Sequence, residues 1–562
     1  MPLGCGGEAE APASTNERPN IVVIMADDMG FSDIGCYGGD VETPVIDSLA
    51  SNGLRFRQFY NTSRCCPTRA ALLTGLYQHQ AGIGHMMAAY KVDGEVVPSY
   101  QAKLNRNCVT FGEALRPAGY TTLMSGKWHV TPGVDLSKTP DPDNSNWPRQ
   151  RGFDRFFGTI QGAGSFYDPY SLTEENEPIS ADDPDFYYTT EIGNKAAQFI
   201  DESPRDKPFF LYLPFTSPHW PLHALDEDIA RYKGKYDMGW DELRRTRRER
   251  MIEMGVIKAD WELTPRDDVV PAWEDVDNKE WESSRMEAYA AQITAMDRAI
   301  GVVVDKLKQL EAFENTLIFF MADNGGCAEE LTSASGGLIY PTETRDGRPV
   351  KVGNYPTEIP GQEDDYQSYG VPWANASNTP FRMYKHWVHE GGISSPLVVH
   401  WPKGISVPGT WTDQPGHLID IMATCVDAAE AQYPTTYEGN AITPLEGESL
   451  RPIFSGEDRN GHDDGIYWEH EGNKAVRLGK WKLVSRWSAA NEMGRPKAEP
   501  DDRAWELYDM DADRTETHDL AADDPDRVKQ MSGMWQAWAD RAGVIEWRSW
   551  DGGVVRSSEP LG

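Results

Sequence analysis

The 562-residue chain has no run of about 18 apolar residues, so it holds no stretch suited to span a bilayer as a helix. Cysteine is scarce and odd in number: Cys5, Cys36, Cys65, Cys66, Cys108, Cys327 and Cys425 are the only seven. That count excludes a disulfide scaffold, and the lack of a CxxC pair or of Cys and His at finger spacing excludes a zinc finger. Positive charge is also short. Lys and Arg total 54 against 89 Asp and Glu, a net charge of −35. Such a surface disfavours nucleic acid as a partner, and any anionic substrate needs a local cationic pocket to hold it. Met1 to Arg18 lack the charged start and apolar stretch of a signal peptide. Leu3-Gly4-Cys5-Gly6-Gly7 looks instead like the trimmed end of a bacterial lipoprotein leader, which implies the periplasm or cell envelope; without export the expectation is the cytoplasm.

What is present is a folded protein. Apolar residues make up 39%, with 19 Trp, 23 Tyr and 18 Phe, enough for a large core. Ile21 to Met25, Tyr120 to Ser125, Phe209 to Leu213, Leu317 to Met321 and Leu397 to His400 are short apolar runs that suit strands buried on both faces. Helical patterns alternate with them. Thr43-Pro44 opens one helix, Thr110 and Glu113 form a capping box ahead of a second, and Ile192 to Ile200 share one face of a third. Ile293 to Leu310 keep helical spacing for almost five turns. This alternation predicts an α/β fold: a large, mostly parallel or mixed sheet sandwiched by helices. Residues 220–285 read as an irregular insertion whose Arg244, Arg245, Arg247, Arg248 and Arg250 lie on a solvated helix. From about residue 456 the pattern changes to four short strands and a helix near Val528 to Ala539, a small C-terminal antiparallel α+β annex. The expected division is a tail over 1–18, a catalytic domain over 19–455, the annex over 456–548 and a tail over 549–562.

Two strands end alike. Met25-Ala26-Asp27-Asp28-Met29-Gly30 and Met321-Ala322-Asp323-Asn324-Gly325-Gly326 each place two oxygen ligands where a buried strand stops. Adjacent side chains within a strand point to opposite faces, whereas at the end, with Gly close behind, both can converge. Three carboxylates and an amide, without His or Cys, favour Ca²⁺ over Zn²⁺, with Mg²⁺ second. A helix opens at Cys65-Cys66-Pro67, and Arg69 adds a cation one turn on, an arrangement that suits an anionic ligand.

Cys65-x-Pro67-x-Arg69-x₄-Thr74-Gly75 resembles the signature of the type I, formylglycine-dependent sulfatases of the alkaline phosphatase superfamily. Asp27-Asp28, Gly126-Lys127-Trp128-His129, Ser217-Pro218-His219-Trp220, Asp323-Asn324, and Lys385 ahead of His389-Glu390-Gly391-Gly392 agree in order. Asn378 to Arg382 look especially like the Pseudomonas-type arylsulfatase. The resemblance implies that a separate maturase oxidises Cys65 to formylglycine, whose hydrate attacks sulfur, and that Asp27, Asp28, Asp323 and Asn324, with residue 65 as formylglycine, hold one Ca²⁺. It also implies roles: Lys127 and Lys385 bind sulfate oxygens, Arg69 adds charge, His219 protonates the leaving oxygen and His129 takes the proton that releases sulfate. The expected substrate is an aryl or small alkyl sulfate ester, and a homo-oligomer stays open. The alternatives are a phosphonate monoester hydrolase or phosphodiesterase of the same superfamily, and an unmatured calcium-stabilised binding protein. Trp128, Trp220, Trp373 and Trp387 are candidates for an aryl pocket, more readily read as core; Asn61 and Asn375 head glycosylation sequons.

Overall fold

The computed structural model describes residues 18–133, 142–337, 339–459, 461–487 and 504–547, with the backbone of 554–555. The stretch read as a lipoprotein leader and most of the C-terminal tail lie outside these. The main sheet has eleven strands: β1 (Asn20–Ala26), β2 (Leu54–Tyr60), β3 (Thr121–Ser125), β4 (Arg155–Thr159), β5 (Leu172–Glu174), β6 (Glu177–Pro178), β7 (Phe209–Pro214), β8 (Thr316–Ala322), β9 (Ser394–His400), β10 (Thr410–Thr412) and β11 (Gly416–His417). Their order is β10-β2-β9-β8-β1-β7-β3-β4-β5-β6, with β11 also on β2. Strands β8, β1, β7, β3 and β4 are parallel, so their C-terminal ends share one edge. β9 runs antiparallel to both β8 and β2. Two reversals return β2 to the direction of the parallel block, so the chain leaving Tyr60 reaches that same edge. The sheet is therefore mixed, around a parallel centre.

Both faces are covered, as the unbroken apolar runs require. Along β1, Val22, Ile24 and Ala26 join one core cluster while Ile21, Val23 and Met25 join the other. The first cluster takes α1 (Pro44–Ser51) and, from later in the chain, the helices Tyr188–Glu202 and Lys279–Gln309. The second takes α2 (Cys65–Thr74), then Ile419–Ala428 and Pro525–Ala542. In chain order these become α3 (Tyr188–Glu202), α4 (Gly239–Glu253), α5 (Lys279–Gln309), α6 (Ile419–Ala428) and α7 (Pro525–Ala542).

Several local expectations need correction. α5 begins at Lys279, so the irregular stretch ends before residue 285 and the helix runs much longer than the spacing from Ile293 suggests. Thr43 precedes α1 but its side chain does not cap the helix; its hydroxyl bonds Asp47 at 3.2 Å. The arginine-rich helix exists as α4, yet only part of it is solvated. Arg245 pairs with exposed Glu242 and Glu249, whereas Arg244 and Arg247 are buried. Arg247 binds Asp33 and Asp40, each at 2.7 Å, a contact that fastens α4 to the loop after β1. The capping box holds: Thr110 N–H donates to Glu113 at 2.9 Å and Glu113 N–H to Thr110 at 3.3 Å. Both sequon asparagines are buried, which bars glycan transfer on the folded chain.

The annex is a four-stranded antiparallel sheet of β12 (Ile466–His470), β13 (Asn473–Leu478), β14 (Trp481–Ser485) and β15 (Trp505–Asp509). One face, with Tyr467, Val476, Leu483 and Leu507, packs with Trp535 and Trp538 of α7. The other, with Ile466, Trp468, Ala475, Val484 and Tyr508, packs on Tyr60, Val388 and Ile393. No helix among the described residues is long and apolar enough to cross a membrane.

Candidate active site

Because Ala26 pairs with Ala322, β1 and β8 end side by side. Asp28 N–H donates to Asp323 Oδ1 at 3.1 Å, and Asn324 Nδ2 to Asp28 Oδ1 at 2.7 Å. All four residues are fully buried. Asp27 Oδ1 and Asn324 Oδ1 have no hydrogen-bond partner, an unusual state for buried oxygens. Two partnerless oxygens within a set of hard oxygen donors are what a Ca²⁺ or Mg²⁺ ion would satisfy, so the residues present fit such an ion.

Cys65 is the first residue of α2, which ends at Gly75 in the left-handed conformation (φ 69°). Arg69, one turn in, donates from Nη2 to Asp323 Oδ2 at 2.9 Å and from Nη1 to the Lys127 carbonyl at 3.1 Å. Thr68 locks the same loop by donating to the Asp323 carbonyl at 2.7 Å. Lys127 follows Gly126, whose φ of 130° and close approach to the Pro214 carbonyl leave no room for a side chain: a Cβ there would lie 1.9 Å from that oxygen. The turn delivers Lys127 Nζ to Asp27 Oδ2 at 2.5 Å. His129 sits at φ 55°, strained for a non-glycine residue, and one of its nitrogens lies within 4.8 Å of the Cys65 and Cys66 sulfurs. From the loop after β7, His219 Nε2 lies 3.4 Å from Asp28 Oδ2, and Lys385 Nζ reaches the same oxygen at 2.9 Å. All ten residues singled out by sequence thus converge at the carboxyl edge of the sheet, where open α/β sheets place their ligands.

Charge is unevenly matched there. Burial pushes Asp27 and Asp323 up from the carboxylate range, the latter strongly, and the nearby Lys127 and Arg69 do not compensate. Burial also works against the Asp28 anion, but Lys385 and His219 together outweigh it and hold the group low. The adjacent thiols move in opposite directions. A hydrogen bond from Cys66, helped by Lys127 and His129, pushes Cys65 well down, while burial pushes Cys66 well up. Burial lowers His129 to about 4 and also lowers His219, so both rings are neutral near pH 7.

Sequence reasoning missed Glu329. It lies 3.6 Å from Lys385 and 3.2 Å from Arg64, and it accepts the Trp220 indole N–H at 2.6 Å. Those cations overcome its burial and hold it at about 2. Its only signal in sequence is its position in the loop beyond Asn324. Of the four tryptophans, Trp128 and Trp373 are core residues, packed on Phe153 and on Trp240 respectively. Trp387 is buried too, whereas Trp220 is partly exposed beside His219 and stacks on Tyr340 at 5.6 Å.

Comparison with known proteins identifies the family. The family described as Sulfatase matches residues 19–431, and that described as N-sulphoglucosamine sulphohydrolase, C-terminal, matches residues 381–538. The chain is 31% identical to an uncharacterized sulfatase of Schizosaccharomyces pombe, over 94% of this chain and 95% of that one. It is 33% identical to the arylsulfatase of Klebsiella aerogenes, over 79% and 93% respectively. Among solved structures, Ps i-CgsB in complex with k-i-k-neocarrahexaose superposes with a TM-score of 0.64 at 22% identity, covering 94% of this chain and 95% of that one, a likeness of fold. The match over 19–431, together with these two relatives, places the chain in the sulfatase family, as a hydrolase of sulfate esters on the alkaline-phosphatase-like fold.

Proposed function

We propose that this enzyme cleaves aryl or small alkyl sulfate esters with residue 65, matured from cysteine to formylglycine, as nucleophile, and with one Ca²⁺ held by Asp27, Asp28, Asp323 and Asn324. The observation that carries the reading is the pair of buried, partnerless oxygens, Asp27 Oδ1 and Asn324 Oδ1, in the cluster that also holds Arg69 of the Cys65 helix. A divalent ion bound there would supply positive charge beside a hydroxyl at position 65 and lower its pKa. A formylglycine hydrate would supply two hydroxyls on one carbon, one to attack sulfur and one whose deprotonation releases sulfate.

The chain's own residues then divide the work by charge and protonation. Lys127 and Lys385 hold the sulfuryl oxygens as negative charge builds on them. Arg69 fixes Asp323 and keeps the start of α2 against the ion cluster. His129, held neutral at pH 7 by burial, accepts the proton from position 65 that precedes sulfate release. His219 protonates the leaving oxygen from its protonated form, a minority near pH 7, and Lys385 shares that duty. Trp220 and Tyr340 offer a stacked aromatic wall beside His219 for an aryl group. The net charge of −35 disfavours a long sulfated polysaccharide, which would be repelled beyond the pocket.

Mass measurement of the peptide containing Cys65, combined with steady-state kinetics, tests the reading. Conversion lowers the mass by about 18 Da, and Cys66 stays unchanged. The expected kinetic result is a higher kcat/KM for nitrophenyl sulfate than for a phosphonate monoester, with multiple turnover lost in Cys65→Ser. A preference for the phosphonate would replace the function with that of a phosphonate monoester hydrolase. An unconverted, inactive Cys65 in protein co-produced with a maturase would favour the binding-protein reading.

A further inference from the structure

A second set of metal-ligating side chains lies where the annex meets the rim of the active site. The end of β12 carries His470 and the turn to β13 carries Glu471, while His85 and His386 come from the catalytic domain. All four are buried. Glu471 is the hub: Oε1 lies 2.8 Å from His85 Nδ1 and 3.6 Å from His470 Nε2, and Oε2 lies 3.0 Å from His386 Nδ1. One ligand atom from each of His386, His470 and Glu471 lies within 4.8 Å of the other two. The His470 ring is 0% exposed, and neither of its nitrogens has a hydrogen-bond partner. A buried imidazole with both nitrogens unsatisfied is costly and calls for a ligand.

His386 and Glu471 also adopt left-handed backbone, at φ 89° and 50°, which points both side chains into the cluster at a cost the local contacts must offset.

We propose that His386, His470 and Glu471, the last braced by His85, bind one zinc-class transition-metal ion, separate from the oxygen-rich site at Asp27 and Asp323. Nitrogen-rich donors with one carboxylate suit Zn²⁺, in contrast to the all-oxygen set that suits Ca²⁺. Zinc bonds of about 2.0–2.1 Å put tetrahedral ligands about 3.3 Å apart, within the 3.0–3.6 Å separations that Glu471 already makes to His386 and His470. Two ligands belong to the annex hairpin and one, His386, to a loop of the catalytic domain. His386 N–H donates to the Ser63 carbonyl at 2.8 Å, and the His85 carbonyl lies 3.9 Å from Cys66 Sγ. The ion therefore pins the annex to the segments that carry residue 65 and Lys385. The site does not depend on the reaction proposed above.

The test uses the full-length purified protein in excess Ca²⁺, titrated with Zn²⁺ and in parallel with Co²⁺. The expected result is one Zn²⁺ per chain by elemental analysis, a rise in Tm on loading, and a Co²⁺ visible spectrum without a thiolate charge-transfer band. His470→Gln and Glu471→Gln should each weaken Zn²⁺ binding by at least about tenfold and abolish the Tm rise, while Cys65→Ser keeps both. Unchanged uptake in both cluster variants overturns the proposal, as does failure of the wild type to bind. Loss of uptake in Cys65→Ser, or a strong thiolate band with Co²⁺, overturns it by moving the ion to Cys65, Cys66 and His129. If the His470 variant does not fold, Glu471→Gln and the wild-type Co²⁺ spectrum still decide.

Discussion

Two clusters of buried charge in this molecule have opposite character. At the junction of the annex and the main sheet, Lys482 pairs with Glu390 at 2.9 Å and Glu516 at 2.7 Å, and Arg514 pairs with Glu390 at 2.9 Å and Ser394 at 2.6 Å. Both oxygens of Glu390 face cations, and those cations outweigh burial to hold its carboxyl low. At the sheet edge, Asp27 and Asp323 are equally buried, yet burial pushes them up, and two oxygens there find no partner. At the junction each buried charge meets an opposite charge; at the cleft two buried oxygens stay unmatched. Burial of charge alone therefore does not mark a functional site, whereas buried charge left short of partners does.

Breaking each cluster should produce opposite phenotypes. The largest effect expected is on catalysis: Cys65→Ala lowers kcat by about 10⁴-fold or more, with urea unfolding unchanged, because it removes a reacting group and little packing. Next comes stability. Glu390→Gln leaves Lys482 and Arg514 short of a counter-charge and should cost about 3–5 kcal/mol in urea unfolding, with kcat per folded molecule preserved. Third, 100-fold excess of Ca²⁺ over its Kd should stabilise wild type by about 2.7 kcal/mol, visible as a rise in Tm, and Asp323→Asn should lose that rise.

The effect that is smallest over any one pH unit serves as a control away from both clusters. His223 accepts the Phe166 N–H at Nδ1, 3.3 Å away, and faces the Asp365 carbonyl at Nε2, 3.0 Å away, so the folded state needs the ring neutral. Burial lowers it to about 3 from an ordinary 6.5. Between these values the unfolded chain binds the extra proton, so its contribution is present in full above pH 6.5 and is lost as pH falls toward 3. The loss is about 1.4 kcal/mol per pH unit, and His223→Gln should flatten that part of a stability-versus-pH curve.

How much of this was legible in the sequence follows from the range of each interaction. The strand ends at Asp27 and Asp323 and the helix start at Cys65 are local patterns, readable from apolar runs, Gly and Pro. The annex strands were legible for the same reason, since hairpins pair neighbours. What escaped was long-range. Arg247 looks solvated in its basic run because its partners Asp33 and Asp40 lie more than 200 residues away in sequence. Glu329 joins the cleft through Lys385, Arg64 and Trp220, all distant in sequence, and His85, His386 and His470 meet only once the annex docks. Nothing in local periodicity reports such pairings.

The contrast between a completed and an uncompleted cluster is tested most directly by the calcium content of purified protein. Elemental analysis after exhaustive dialysis against trace Ca²⁺ should find one Ca²⁺ per chain in wild type and in Glu390→Gln, and close to none in Asp323→Ala. Equal calcium in wild type and Asp323→Ala, or calcium lost from Glu390→Gln but retained in Asp323→Ala, would contradict the assignment of the partnerless oxygens to a bound ion.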